Sequence, residues 1–190
     1  KTLYEIAFEG EKIIHGNPSG IDVAASVYGG LILFNKNTVP TNIDLLNKLN
    51  IIVSISGKTR QTSRMIDRFT SISEKLPHHF QSLVDSSSVL TQEAVNCLVN
   101  GDLKKLGAII NFYNSILSSF GLATKTTDMM IETCLEHGAY GAKITGAGGG
   151  GSIIAIAPST KIKIIIDELS SLGFRTFSIE LPKQGVSFGK

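Results

Sequence analysis

The sequence predicts an α+β fold, in which a ferredoxin-like split βαβ domain with extra helices follows the tail of another domain. From Ile51 onward the apolar patterns follow the order strand, several helices, strand, strand, helix, strand. This is the order of a split βαβ sheet with helices inserted in its first crossover. Residues 1–50 supply too few elements to complete a fold. We therefore expect residues 1–50 to be the tail of an N-terminal domain and residues 51–190 to form a C-terminal domain.

Two helices and a short strand are predicted in the first domain's tail. The stretch "TLYEIAFEGEKIIH" (residues 2–15) carries apolar residues at helical spacing, and "GNPSG" (16–20) ends that helix. The stretch "IDVAASVYGG" (21–30) is typical of a short helix that ends at Gly29, and "LILF" (31–34) follows as a strand. The polar stretch between the two helices is therefore expected to be a loop.

The C-terminal domain is predicted to contain four strands, with helices in both crossovers. The β-branched run "IIVSIS" (51–56) is typical of a buried strand. Between Thr62 and Gly138 the pattern is helical throughout, and Asp102 is placed to cap the helix that follows Gly101. The other predicted features are a helix end at Gly121, the strands "AKIT" (142–145) and "SIIAIA" (152–157), the helix "PSTKIKIIIDELSSLG" (158–173) and the strand "FRTFSIEL" (174–181).

Composition limits the class of protein. The chain has 42% apolar residues, enough for a buried core, and 18 Lys and Arg against 16 Asp and Glu. The net charge of +2 is too small to drive general binding to nucleic acid or a membrane surface. No apolar run approaches the roughly 18 residues of a membrane span. Cys97 and Cys134 lie far apart, outside metal or redox spacings, which indicates reduced cysteines and a cytoplasmic setting.

A glycine-rich stretch, "GAGGGG" at residues 146–151, separates the two middle strands. It contains the pattern G-x-G-x-x-G, but a strand follows where the dinucleotide-binding motif requires a helix, and no Gly-Lys-Ser/Thr ends the run as in a P-loop. Two interpretations remain: a wide hairpin, which needs one or two glycines, or a loop whose backbone N–H groups approach an anion. Five glycines favour the ligand loop. Its candidate residues are Gly146, Ala147, Gly148, Gly149, Gly150 and Gly151.

Two carboxylates flank the break between the first two helices. Asp22, three residues after Ser19, has the form of a capping box, and in a first helical turn it also lies in a positive field that favours its ionised form. Such a carboxylate can orient a hydroxyl, accept its proton or face a cation. Glu11 and His15 continue, in steps of four, the apolar row that begins at Leu3. Glu11 either pairs with His15 along the helix or faces inward as a ligand of a cation such as Mg²⁺ with phosphate oxygens.

A basic stretch, "SGKTRQTSRMIDRF" (56–69), follows the first buried strand and enters a helix. Lys58, Arg60 and Thr62 supply cations and a hydroxyl at one strand end, where phosphate or carboxylate groups are often bound. A solvated basic helix start explains the same residues. The functional interpretation therefore depends on the glycine-rich loop being nearby.

Two stretches together resemble a known family. "HGNPSGIDVAASVYGG" (residues 15–30) and "KITGAGGGGSIIAI" (143–156) closely resemble two signature stretches of the mevalonate kinase family. That family belongs to the GHMP kinases, named for galactokinase, homoserine kinase, mevalonate kinase and phosphomevalonate kinase. The order and separation of the stretches also agree, and the similarity covers nearly the whole chain. The resemblance implies phosphoryl transfer from MgATP to the 5-hydroxyl of mevalonate in isoprenoid biosynthesis, by a two-domain enzyme with a cleft between its domains.

The resemblance also implies roles for the candidate residues. Asp22 matches the catalytic aspartate beside the accepting hydroxyl, and Glu11 matches the Mg²⁺ ligand. The glycine-rich loop matches the motif that approaches the phosphates, close to Asp22 in the cleft. The implied substrate-binding set consists of Thr62, Arg60 or Lys58 as the nearby cation, and His15 in the stretch that favours mevalonate.

The sequence also departs from the family pattern. The family's ATP loop, of the type Pro-x-x-x-Gly-Leu-Gly-Ser-Ser, does not occur in this chain, nor do its metal-sharing serine and the lysine that pairs with the catalytic aspartate. The chain starts at Lys1, within a helical pattern. We therefore expect a C-terminal fragment whose partner is the missing N-terminal part of the same kinase, and which does not turn over alone.

Two alternative functions stay open. The first is another GHMP kinase, acting on phosphomevalonate, homoserine or a different mevalonate hydroxyl. The second is a non-catalytic ligand-binding module, since ferredoxin-like sheets often bind ligands without chemistry. The expected partners are mevalonate and ATP, with no nucleic acid and no membrane, and a homodimer is left open.

Overall fold

The chain divides into two compact units, Lys1–Leu46 with Leu181–Lys190 and Asn47–Glu180. The computed structural model describes residues 2–16, 18–36, 38–58, 62–146, 149–181 and 185–186, without the side chains of His15 and residues 62–64. The end of the chain groups with the first unit because the Val186 N–H donates to the carbonyl oxygen of Ser26 at 3.0 Å, whereas the sequence pattern assigns this end to the second domain. The assignment of the units to an N-terminal tail and a C-terminal domain stays a prediction.

The first unit consists of two helices and a two-stranded antiparallel ladder. Its elements are α1 (Leu3–His15), α2 (Ile21–Tyr28), β1 (Ile32–Leu33) and β2 (Thr41–Asn42). Both predicted helices are present, and β1 forms within the strand predicted at 31–34. The sequence gives no strand pattern for β2, because this two-residue strand lies in a turn-rich segment.

A capping box starts α1. The Glu5 N–H donates to Thr2 Oγ1 at 3.2 Å, and the Thr2 N–H donates to Glu5 Oε2 at 2.7 Å. Each side chain therefore satisfies a backbone donor that the start of a helix leaves unpaired. The box fixes the first turn of α1, and with it the direction in which the later residues of this helix point.

The capping box that the sequence suggests for α2 does not form. The residue before the helix is Gly20, in the left-handed region at φ +86°, and it makes no side-chain cap. Ser19 Oγ instead accepts from the Ile21 N–H at 3.4 Å. Asp22 does lie in the first turn of α2, as predicted.

The second unit is a four-stranded antiparallel sheet with helices. The strand order is β4-β5-β3-β6, which is the order of a ferredoxin-like split βαβ sheet. Helices α3, α4 and α5 are the extra helices of the first crossover, so the predicted fold class is confirmed. The elements are β3 (Ile51–Ile55), α3 (Thr62–Lys75), α4 (Pro77–Asn100), α5 (Leu103–Ser119), α6 (Lys125–Glu136), β4 (Gly141–Thr145), β5 (Ser152–Ile156), α7 (Ser159–Ser171) and β6 (Arg175–Ile179).

The long helical region divides at positions that the sequence marks only in part. Gly101 ends α4 in the left-handed region, and Asp102 caps α5 by accepting from the Lys105 N–H at 3.0 Å, both as predicted. The break between α3 and α4 at Leu76 has no signal in the apolar periodicity. Pro77 explains it, because proline lacks an N–H and its ring clashes with the preceding turn, so that it favours a helix start. Within the described ranges no helix, not even the 24-residue α4, has the length and apolar character to cross a membrane.

The core of the second unit lies between the sheet and the helices on one of its faces. Strand residues alternate between this core and the opposite face, as in β3, where Ile52 and Ser54 are buried. The buried Ser54 hydroxyl shares a hydrogen bond of 2.8 Å with the hydroxyl of the half-buried Thr176 on β6, so it has a partner. The largest fully buried apolar side chains are Ile52, Met130, Ile144, Ile153, Ile165 and Leu169.

Helix α5 covers the outer edge of β4, the strand that leads into the glycine-rich loop. Asn111 Oδ1 accepts from the Ala142 N–H at 2.9 Å, and Asn114 Oδ1 accepts from the Ile144 N–H at 3.1 Å. These bonds satisfy amides that an edge strand otherwise leaves open. The approach is close, since a Cβ at Gly107 would lie 2.3 Å from a backbone carbonyl oxygen. The strand before the loop is therefore held on both sides.

Candidate functional site

Glu11 on α1 and Asp22 on α2 line the same cavity in the first unit. This cavity has a volume of about 220 Å³, and its other lining residues are Pro18, Ser19, Gly20 and Val23. Both carboxylates also line a second cavity of about 290 Å³, together with Leu3, Ala7, Val23, Ser26, Val27 and Val186. Two acidic groups from different helices therefore converge on one place.

The spacing along α1 explains why Glu11 lies at a cavity that Asp22 also lines. Leu3, Ala7 and Glu11 follow one another in steps of four and all line the second cavity with Asp22. Of this row, Ala7 and Glu11 are half-buried, whereas Leu3 is exposed, so the inward orientation of Glu11 stays a prediction. Glu11 is half-buried and Asp22 is exposed.

An aromatic cluster fixes the two helices against each other. The rings of Tyr4 and Phe8 stack with their centroids 5.8 Å apart, and Tyr28 lies 6.2 Å from Tyr4. Gly20 comes so close to this cluster that a Cβ there would lie 2.6 Å from Tyr4 Oη and 3.1 Å from Phe8 Cε2. The start of α2, and with it Asp22, therefore has a defined position relative to α1.

The donor chemistry of this pair fits Mg²⁺. Magnesium in proteins is usually held by one or two carboxylates and completes its shell with water and phosphate oxygens. Glu11 and Asp22 supply two carboxylates at one cavity. In the part of the chain that the structure describes, no group of three or more His, Cys, Asp or Glu could enclose a metal. The pair thus fits an ion shared with a phosphate better than an ion enclosed by protein ligands.

The glycine-rich loop of the second unit is anchored at three points. The Ser56 N–H donates to the carbonyl oxygen of Gly151 at 3.0 Å, and the Ser56 hydroxyl donates to the carbonyl oxygen of Gly150. The Gly149 N–H donates to the carbonyl oxygen of Leu122 at 2.9 Å. The loop is therefore tied to the end of β3 and to the segment before α6.

The backbone of the loop requires glycine at several positions. Gly146 and Gly149 have φ +73° and Gly150 has φ +108°, which are conformations that other residues rarely adopt. Three such glycines among the described loop residues exceed what a two-residue hairpin turn requires. This supports the interpretation of the stretch as more than a hairpin.

Lys58 lies beside the glycine-rich loop. Its Nζ donates to Thr126 Oγ1 at 2.6 Å, and its backbone N–H donates to Ser56 Oγ at 3.2 Å. The Lys58 Cβ is 3.9 Å from the point where a Cβ on Gly150 would be. The basic stretch and the glycine-rich loop are therefore neighbours, which is the condition that the functional interpretation of Lys58 requires.

The other predicted site residues are only partly described. Arg60, Ala147 and Gly148 lie outside the described residues. His15 is the last residue of α1 and Thr62 is the first residue of α3, but their side chains are not described. Their roles stay predictions.

Ser56 and Thr126 also lie beside Lys58 and the glycine-rich loop, but the sequence does not predict them as site residues. Ser56 comes to lie opposite the loop because Ile55 on β3 pairs with Ser152 on β5. That register follows from the assembled sheet. The only sequence signal for Thr126 is its position just after a helix start.

Comparison with known proteins finds a family match within the second unit. Residues 94–174 match the family model described as GHMP kinases C terminal. The matched range runs from the last turns of α4 to the residue before β6. Residues 94–174 therefore match the C-terminal domain of the GHMP kinases and are called the GHMP kinase domain below.

Relatives of this GHMP kinase domain include curated mevalonate kinases. The chain is 29% identical over 186 residues to the mevalonate kinase of Aeropyrum pernix, a match that covers 97% of this chain and 57% of the relative. It is 28% identical over 186 residues to the mevalonate kinase of Arabidopsis thaliana, which covers 94% of this chain and 49% of the relative. The chain thus spans about half the length of the curated relatives that it matches.

A solved structure is similar in fold to nearly the whole chain, and not only to the GHMP kinase domain. The crystal structure of L. major mevalonate kinase in complex with R-mevalonate matches with a TM-score of 0.83 at 27% identity. The match covers 94% of this chain and 57% of that chain. At this coverage the similarity extends past the GHMP kinase domain into the first unit, which carries Glu11 and Asp22.

Proposed function

We propose that the full-length protein that carries this chain transfers a phosphoryl group from MgATP to the 5-hydroxyl of mevalonate, giving 5-phosphomevalonate. The observation that carries this proposal is the convergence of Glu11 and Asp22 on one cavity at the start of α2. The relatives named mevalonate kinase support it, as does the similarity to the L. major enzyme that holds R-mevalonate.

Asp22 is the residue that we place beside the accepting hydroxyl. Asp22 lies in the first turn of α2, where the helix N-terminus favours a negative charge, so its carboxylate is suited to accept a hydrogen bond from the hydroxyl. In the transfer, the 5-oxygen forms a bond to the γ-phosphorus and the bond from that phosphorus to the bridging oxygen of ADP breaks. The hydroxyl proton passes to the Asp22 carboxylate. Asp22 thus orients the nucleophile and removes its proton.

Glu11 is the carboxylate that would hold Mg²⁺. Its position is set by α1, whose i, i+4 row brings it to the cavity that Asp22 also lines. The ion would neutralise phosphate charge that grows as the bond to ADP breaks. Because Glu11 and Asp22 lie on different helices, Glu11 can bind the metal while Asp22 contacts the hydroxyl.

The second unit supplies groups that are suited to bind anions. Lys58 is exposed next to the glycine-rich loop, where an ammonium can pair with carboxylate or phosphate oxygens. The Gly149 N–H already donates to the Leu122 carbonyl oxygen, so this N–H is not a donor for a phosphate. By resemblance, Arg60, Thr62 and His15 complete the substrate-binding set.

The proposal is tested by the substrate range of the full-length protein. Mevalonate, phosphomevalonate and homoserine are offered with MgATP, ADP release is followed by a coupled assay, and the phosphate position is determined by phosphorus NMR. We expect turnover with mevalonate and phosphate on its 5-oxygen. Turnover with another acceptor alone, or phosphate on a different mevalonate oxygen, would assign the protein to another reaction of the GHMP kinases.

A further inference from the structure

The ammonium group of Lys58 is held by a hydroxyl from a different element. Lys58 follows β3, whereas Thr126 is the second residue of α6, and Nζ donates to Thr126 Oγ1 at 2.6 Å. Lys58 is exposed and Thr126 is half-buried. An exposed lysine otherwise samples many rotamers, with about 2 kcal/mol of side-chain entropy. Because Thr126 lies on a helix, its hydrogen bond gives the Lys58 ammonium a defined position.

The start of α6 does not depend on the Thr126 side chain. Thr124 and Thr127 cap the helix reciprocally, since the Thr127 N–H donates to Thr124 Oγ1 at 3.2 Å and the Thr124 N–H donates to Thr127 Oγ1 at 2.8 Å. The hydroxyl of Thr126 points instead to Lys58. Removal of this hydroxyl should leave the helix cap in place.

The same place includes the glycine-rich loop. Ser56 Oγ accepts from the Lys58 N–H and donates to the carbonyl oxygen of Gly150. The Thr124 methyl and the Lys58 Cβ each lie 3.9 Å from the point where a Cβ on Gly150 would be. The segment after β3, the loop and the start of α6 therefore meet at the position that the Lys58 side chain occupies.

We propose that Thr126 is a positioning residue, which holds the Lys58 ammonium beside the glycine-rich loop so that it pairs with an oxyanion of a bound reactant. The inference rests on the proposed kinase function and deepens it. The oxyanion is either the carboxylate of the acceptor or a phosphate oxygen of the nucleotide, and the two sources share the same chemistry.

A neutral hydroxyl is suited to this task. An ammonium has three donors, and one bond to Thr126 leaves two of them for a ligand. A carboxylate in the same place would neutralise the charge and compete with the anion. Thr126 therefore fixes the direction of Lys58 while its full positive charge remains.

The experiment compares three threonine variants in the full-length protein. Thr126→Val removes the hydroxyl at constant shape, Thr126→Ser keeps it, and Thr160→Val makes the same change at the second residue of α7. We expect Thr126→Val to raise the KM of one reactant by about two- to tenfold with kcat nearly unchanged, as for one lost hydrogen bond. Thr126→Ser and Thr160→Val should match the wild type. The reactant whose KM rises, mevalonate or ATP, identifies the source of the oxyanion.

A double-mutant cycle separates positioning from a general structural effect. In a Lys58→Met background, Thr126→Val should have no further effect, because the group that it positions is gone. A Thr126→Val effect that persists in this background, or wild-type kinetics for Thr126→Val, would overturn the inference.

The contact itself is measured without turnover, so that the inference and the kinase function can fail separately. Side-chain NMR of the Lys58 ammonium should show slow proton exchange with water in the wild type and fast exchange in Thr126→Val. Fast exchange in both proteins would overturn the positioning role even if the protein is a kinase. Absence of mevalonate-dependent ADP release in the wild type would instead overturn the proposed function.

Discussion

Glu11 on α1 and Asp22 on α2 line one cavity of about 220 Å³, although a helix break separates them in the chain. Their convergence depends on the packing of the two helices through Tyr4 and Phe8.

Replacement of Glu11 by Gln should weaken metal binding. The change keeps the shape and removes the charge that attracts Mg²⁺. Loss of a group that merely supports a metal ligand costs about 10–100-fold in metal affinity, so loss of the charged ligand itself should raise the half-saturating Mg²⁺ concentration at least about tenfold. The matched control is Glu9→Gln on the same helix, where Glu9 pairs with Lys12 at 2.9 Å. Mn²⁺ binding by electron paramagnetic resonance gives the affinity without turnover, and equal affinities in both variants would exclude Glu11 as the ligand.

Replacement of Gly20 by Ala should destabilise the first unit. Gly20 has φ +86°, which costs a non-glycine residue about 1–3 kcal/mol, and the new Cβ would press on Tyr4 and Phe8. Gly10→Ala is the control, because Gly10 lies within α1 with nothing within 4 Å of a Cβ. That variant should gain about 0.5–1 kcal/mol from helix propensity. Urea unfolding measures both changes, and similar stabilities for the two variants would contradict this packing.

Replacement of Gly107 by Ala should weaken the packing of α5 against β4. A Cβ at Gly107 would lie 2.3 Å from the Tyr140 carbonyl oxygen, a backbone atom that cannot move aside alone. Overpacking of this kind costs about 1–3 kcal/mol, more than the helix propensity that alanine adds. Hydrogen exchange should show faster exchange of the Ala142 and Ile144 amides, which bind Asn111 and Asn114. Unchanged protection of these two amides would show that the edge contact does not need glycine.

Replacement of Lys143 by Met should stabilise the protein at neutral pH. Burial lowers the pKa of Lys143, even though its Nζ donates to the Ile144 carbonyl oxygen at 2.8 Å. In the window between this lowered pKa and the ordinary value of 10.5, the unfolded chain binds more protons than the native state, so stability rises with pH. The free-energy cost of burying the charged Lys143 is therefore fully present at pH values below this window. It is removed as the pH approaches 10.5.

Urea unfolding measured from pH 7 upward tests whether stability rises with pH in this window. The stability gain of Lys143→Met over the wild type should shrink as the pH rises through the window. Lys104→Met on the exposed face of α5 is the control and should show no such trend. A gain for Lys143→Met that stays constant with pH would mean that the wild-type lysine keeps its ordinary pKa.

The sequence predicts most of the fold because its signals are local. The β-branched run of β3 and the apolar pattern of α7 report burial within a few residues, and their order is enough for the ferredoxin-like sheet. The i, i+4 row of α1 likewise directs Glu11 toward α2. Features that depend on tertiary contacts are missed: the left-handed start of α2 at Gly20 is set by Tyr4 and Phe8, which lie on another helix.

In the candidate site, too, residues with a local signal are predicted and residues placed by tertiary contacts are missed. Lys58 stands out in the sequence as a cation at a strand end. Its partner Thr126 does not, because the bond joins segments that are distant in the chain. Ser56 is found only once the pairing of β3 with β5 places it opposite Gly151.

Replacement of Asp22 by Asn in the full-length protein tests whether Asp22 acts on the hydroxyl of mevalonate. Both mevalonate binding and mevalonate-dependent ADP release are measured, with Asp44→Asn, an exposed aspartate of the same unit, as the control. Loss of a general base should lower kcat by about 10²–10⁴-fold. The Kd of mevalonate should change by less than about threefold, since the group acts mainly in the transition state. Retained turnover in Asp22→Asn, or a loss of binding as large as the loss of turnover, would contradict the catalytic role.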